Sequence, residues 1–233
     1  MKADWNKKLT EEIKCLRELQ IILRLKKPSH PFLEPILGNA IGSMIDLLAY
    51  VEGKNHFYGK FDEAYFKNRQ VTMHITFISD LHIQTEEGLK TIINAKNFEI
   101  SNSSKNRVTR IVDRIKAKLG DTSKIQRELK DILELGAKYP SFNDHLESVL
   151  ANVTGLQEDY KVAARIYFNG ISILRNNISH PRRIFSDQER RKLTDAKLGK
   201  AVDEKGYFIM TFEGYKFLIK DIISFFDRVH STL

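Results

Sequence analysis

The chain has 233 residues, 29% charged and 42% apolar, with 38 lysines and arginines against 30 acids, a net charge of +8 and a pI near 9.4. That length can bury a substantial core as one large domain or two small ones, and the charge points to a polyanionic partner, most simply nucleic acid. The single cysteine, Cys15, excludes an internal disulfide and a thiolate zinc cluster and fits a reducing, cytoplasmic compartment.

No apolar run follows the polar start Met1–Lys8, so no secretory signal is expected. No stretch approaches the ~20 apolar residues of a membrane span, so no membrane partner is expected. Ile13, Leu16, Leu19, Ile22 and Leu23 recur at three- and four-residue intervals, predicting a first helix over 10–25 with Thr10 as N-cap. Pro28 and Pro31 stop it, since each lacks a donor and disfavours a helical predecessor. A second helix is predicted over 33–52, on Ile36, Leu37, Ile41, Met44, Ile45, Leu48 and Val51. Its small residues Gly38, Ala40, Gly42 and Ser43 suggest close approach of a neighbouring helix.

After a turn-rich break, 62–82 reads as helical despite the β-branched run 71–78, and 85–97 reads as a separate short helix. A basic helix pair is expected over 107–119 and 123–138. Ser141 or Asn143 can cap a helix through 153. A longer helix is predicted over 158–180, with Ala163, Ile166, Tyr167, Gly170, Ile173, Leu174 and Ile178 as its core stripe. Residues 182–200 are polar and basic. Asp203–Gly206 between two β-like runs predicts a small hairpin, and Tyr215, Leu218, Ile219, Ile222, Ile223, Phe226 and Val229 pattern a last helix over 214–229. The expected fold is an all-α helical bundle, one domain over 1–233, with one short β-hairpin near the C-terminus.

The richest stretch is Leu174–Arg183, which gathers Arg175, Asn176, Asn177 and His180 at the end of the long helix. Cleaving RNA without a metal requires a proton carrier near neutral pH, which histidine supplies, and a fixed cation for the phosphate, which an arginine fork supplies. Asn176 and His180 are four apart and share a face on a continuous helix. Pro181 disfavours helical geometry at His180, placing the imidazole at or just past the helix end. There the helix dipole favours the protonated ring by up to ~1 kcal/mol. Residues 175–200 hold eight basic and three acidic side chains, and Arg182, Arg183, Arg190, Arg191 and Lys192 form a candidate phosphate-tracking surface.

The run Arg175-Asn176-Asn177-Ile178-Ser179-His180 resembles the Arg, polar, three residues, His motif of the HEPN superfamily, all-helical proteins of which many are metal-independent endoribonucleases. The likeness in residues covers this motif alone, supported by its place late in a long helix, the following proline and a last amphipathic helix. The resemblance implies a homodimer whose motif helices share one cleft, with the motif helix and the last helix both in 142–233. It implies that Arg175 positions the phosphate and that His180, whose ring the spacing lets Asn176 orient, activates the ribose 2′-hydroxyl or protonates the leaving oxygen. It also implies a role as a toxin with an antitoxin partner, as an antiviral defence effector, or in RNA processing. No cofactor and no metal are implied. The alternatives are a non-catalytic HEPN-like module that binds RNA or protein, and an all-α interaction protein with an acidic partner.

Other candidates carry less. His74 and His82 are eight apart with no third ligand at metal spacing, so packing or surface roles are expected. His145, with Asp144 and Glu147, reads as an exposed helix start. Asp46, inside an apolar helix, is a candidate buried acid that supports the motif helix from behind. There is no glycine-rich phosphate loop and no Ser-His-Asp signature.

Overall fold

The computed structural model describes residues 2–25, 33–52, 62–100, 140–178, 184–209 and 212–233. Among them are seven α-helices: α1 (Lys2–Leu25), α2 (Glu34–Glu52), α3 (Glu63–Lys96), α4 (Phe142–Asn152), α5 (Glu158–Ile178), α6 (Asp187–Asp195) and α7 (Phe212–Thr232). The fold is all-α, as the periodicities predict. Met1–Gly88 with Gly155–Leu233 forms one compact unit, and Leu89–Thr154 a second. The basic helix pair expected over 107–119 and 123–138 lies outside the described residues.

In the first unit α1 packs on α2 through Leu9, Ile13, Leu16 and Leu19, all buried. It begins two turns earlier than its apolar stripe suggests, because Trp5 packs its ring 4.9 Å from that of Phe66 on α3. Thr10 is therefore interior to the helix and not its N-cap: its hydroxyl donates back to the Asn6 carbonyl at 2.7 Å. On α2 the buried stripe is Leu37, Ala40, Ile41, Met44, Leu47, Tyr50 and Val51. Gly38 and Gly42 fall on the opposite, exposed side, with no described residue within 4 Å of where a Cβ would stand, so the expected close approach is not found there. Asp46 is likewise exposed, beside Tyr65 and Arg69 in a small cleft, and is not a buried support.

The two helices expected over 62–82 and 85–97 are one helix of 34 residues. Asp62 caps it, accepting from the N–H groups of Ala64 (2.8 Å) and Tyr65 (3.3 Å), while its own N–H donates to the Tyr50 hydroxyl at 2.8 Å. Thr85 starts nothing: its side chain is buried and its hydroxyl donates to the Leu81 carbonyl at 2.6 Å. The β-branched run 71–78 stays helical because Met73, His74, Phe77 and Ile78 fall on one buried face.

All seven apolar residues read for α7 are buried. Its ring contacts fix the neighbours: Tyr215 lies 5.2 Å from His74 and 4.5 Å from Phe77 on α3, and Phe225 lies 4.8 Å from Phe168 on α5. The buried face of α5 is Ala164, Phe168, Gly170, Ile171, Leu174, Asn177 and Ile178. Gly170, Leu174 and Ile178 are buried as the stripe predicts, whereas Ala163 and Ile166 are exposed and Ala164, Phe168 and Ile171 are buried instead, so the true face lies to one side of the predicted one. Phe168 and Ile171 set the true phase. The expected hairpin is reduced to a single antiparallel bridge, Val202 to Phe208. Gly199–Ala201 is a 3-10 turn, and Asp203 commits its side chain to the N–H groups of Lys205 (2.9 Å) and Tyr207 (2.7 Å), leaving little extended chain to pair.

In the second unit Ser141 caps α4 through a reciprocal box with Asp144. The Ser148 hydroxyl donates to the Glu99 carbonyl at 2.7 Å. His145 and Asp144 are 4% and 1% exposed, so the expected exposed helix start is buried; the phase of Phe142, Leu146, Val149 and Leu150 turns both inward.

Gly170 lets the end of α6 reach α5. A Cβ there would stand 2.5 Å from the Ala196 methyl and 3.0 Å from Leu198 Cδ1. Overpacking costs about 1–3 kcal/mol, and a clash with a backbone-anchored methyl belongs at the upper end. That exceeds the ~1 kcal/mol by which alanine favours a helix over glycine. Gly170→Ala is therefore expected to lower the urea midpoint, read by circular dichroism, with an unchanged slope.

Candidate active site

Arg175 sits in the last described turn of α5, half-buried. Its Nη1 donates to the exposed Asn176 side-chain oxygen at a long 3.4 Å. The two asparagines, alike in sequence, have different roles. Asn177 is 2% exposed, and its amide donates to the Ile173 carbonyl (3.0 Å) and to Glu189 Oε1 on α6 (3.1 Å). Its own Oδ1 is buried without a hydrogen-bond partner among the described residues.

Glu189 uses its other oxygen to cap α6. Oε2 accepts from the Ser186 N–H (2.9 Å) and hydroxyl (2.8 Å), and the Ser186 oxygen accepts from the Glu189 N–H at 3.3 Å. One carboxylate thus joins the start of α6 to the turn that carries Arg175. Arg191 and Lys192 stand exposed on α6. Arg190 is tied down: it donates to the Glu204 carbonyl at 2.6 Å and pairs with Asp187, whose carboxyl it holds below the usual range. His180, Arg182 and Arg183 lie outside the described residues, so their placement relative to Arg175 is not part of this geometry.

Sequence reasoning set His82 aside, yet the fold brings it to Arg175. It is 7% exposed on α3, with Nε2 3.3 Å from the hydroxyl of Ser172, one turn before Arg175 on α5. Burial lowers its pKa from 6.5 to about 4, the Arg175 charge pushes the same way, and Glu86 opposes. At neutral pH the ring is uncharged, with one donor and one acceptor nitrogen. The group therefore combines a permanent cation, a neutral imidazole and a hydroxyl. The signal in the sequence was the helical spacing of His74, Ile78 and His82, which puts both imidazoles on the buried face of α3. No three His, Cys, Asp or Glu side chains gather at metal distance among the described residues, and no described helix is long and apolar enough to cross a membrane.

His74, buried against Tyr215, is also lowered to about 4, by burial and then by Lys8. Between about pH 4 and 6.5 the unfolded chain binds protons on His74 and His82 that the folded chain refuses, so stability present above 6.5 is lost as pH falls. Glu12 acts the other way: burial raises its carboxyl from 4.5 to about 7, so in that window the folded chain holds the extra proton. These two imidazoles against this one carboxyl contribute a slope of about one proton, which the raised Asp80 carboxyl reduces toward the acid end. Urea titrations from pH 7 to 4.5 are expected to show that slope steepening toward two protons in Glu12→Gln and flattening in His82→Gln.

Compared with protein-family models, curated proteins and solved structures, the chain matches none.

Proposed function

We propose that the protein is a metal-independent endoribonuclease of HEPN type. The observation that carries this reading is the Asn177–Glu189 hydrogen bond, which ties a helix bearing exposed Arg191 and Lys192 to the turn that presents Arg175 and Asn176. A guanidinium beside the exposed Arg191 and Lys192 suits a phosphate backbone. The net charge of +8 supports the same polyanionic substrate.

In this reading Arg175 grips the phosphate and offsets the charge that grows on its oxygens. His180 takes the proton of the ribose 2′-hydroxyl or delivers one to the departing 5′-oxygen, with Asn176 orienting the ring. The 2′-oxygen bonds to phosphorus as the 5′-oxygen leaves, giving a 2′,3′-cyclic phosphate and a 5′-hydroxyl end. DNA, lacking the internal nucleophile, is spared. A homodimer would place two copies of the motif in one cleft. Toxin, defence and RNA-processing roles all use this chemistry.

The test is digestion of single-stranded RNA in EDTA. Cleavage is expected, falling by about 10²–10⁴-fold in His180→Ala, the range a positioned acid or base supplies, and at least as far in Arg175→Ala, with unchanged circular dichroism. Metal-dependent cleavage, activity surviving both changes, or salt-sensitive binding of RNA that stays intact would overturn the reading.

A further inference from the structure

A groove between α5, the end of α6 and the middle of α7 carries chemistry that RNA cleavage leaves unused. It encloses about 330 Å3, within the size range of small-molecule sites. The rings of Tyr160, Tyr167, Phe168 and Phe225 line it, and the small exposed Ala163 leaves its mouth open. Two carboxylates, Asp195 and Asp221, also line it, and neither forms an ion pair among the described residues.

The groove is built, not incidental. The Tyr167 hydroxyl donates to the Leu218 carbonyl at 3.5 Å, and burial, then the nearby Asp221 carboxylate, raises the phenol far above its ordinary value, so it stays a donor at physiological pH. Asp221 is exposed at the groove, where its two oxygens can accept from a cationic head. Arg228 lies over the Tyr160 ring, 4.4 Å from its centroid, so a ring of this groove already stacks a guanidinium. Lys197, at a left-handed φ of 61° just after α6, is the one cation among the residues lining the groove. Asp195 and Asp221 against Lys197 leave the lining itself one charge negative, with Arg228 standing beside it over Tyr160.

We infer that this groove binds a small organic cation, a primary amine or guanidinium on an apolar or aromatic stem. The head sits between Asp195 and Asp221, and the stem lies against Tyr160, Tyr167 and Phe225. None of this depends on the nuclease reading.

The test is calorimetry and amide NMR of the full chain with 2-phenylethylamine, using neutral 2-phenylethanol as control. Saturable binding of the amine is expected, with shifts confined to groove residues. Asp221→Asn should weaken it about tenfold, one decade in Kd, Lys197→Gln should tighten it, and Ala163→Phe should abolish it, all with wild-type melting temperatures. Equal binding of the alcohol, unchanged affinity in both charge variants, or no saturation at millimolar amine would overturn the inference. So would binding of an arginine-rich peptide without binding of the free amine, which would assign the groove to a protein partner.

Discussion

His74 and Tyr215 set the register of the first unit. The imidazole Nδ1 and the phenol oxygen are 2.7 Å apart, the rings are stacked, and both side chains are buried. Either polar atom left unpartnered in that interior would cost about 1–3 kcal/mol, so α3 and α7 can slide or rotate past one another only at that expense. With the pair in place, Phe225 meets Phe168, Arg228 covers Tyr160, and α5 is positioned along α7. That placement in turn sets Ser172 against His82 and brings Arg175 close enough to bias the imidazole.

The helices were legible wherever large apolar side chains repeat without interruption. On α7 every predicted core residue is buried, because Tyr215 through Val229 admit one amphipathic phase. On α5 glycine, alanine and tyrosine blur the phase, so Gly170, Leu174 and Ile178 are placed correctly but Ala163 and Ile166 are not; Phe168 decides the face, but only against Phe225. Thr85 and Thr10 looked like helix starts, yet both hydroxyls can satisfy themselves on the preceding turn, so local chemistry permits either outcome and packing chooses. The hairpin was overread because Asp203, a turn former, spends its side chain on backbone N–H groups that would otherwise extend a ladder.

At the candidate site the motif was legible and its surroundings were not. Arg175 and Asn176 stand at a helix end, as spacing suggests, whereas the division of labour between Asn176 and Asn177 depends on which face α5 buries. His82 is 93 residues away in sequence from Arg175, and no local pattern joins them. Along α5 the environment also changes sign: carboxylates border its middle, and the guanidinium with exposed basic residues of α6 borders its end.

Glu189 has both oxygens engaged, one in the opening turn of α6 and one on the Asn177 amide. Fraying of the first turn of α6 would therefore withdraw the carboxylate that meets Asn177 in the turn carrying Arg175. A perturbation that reaches the start of α6 has a direct hydrogen-bonded route to the turn that carries Arg175.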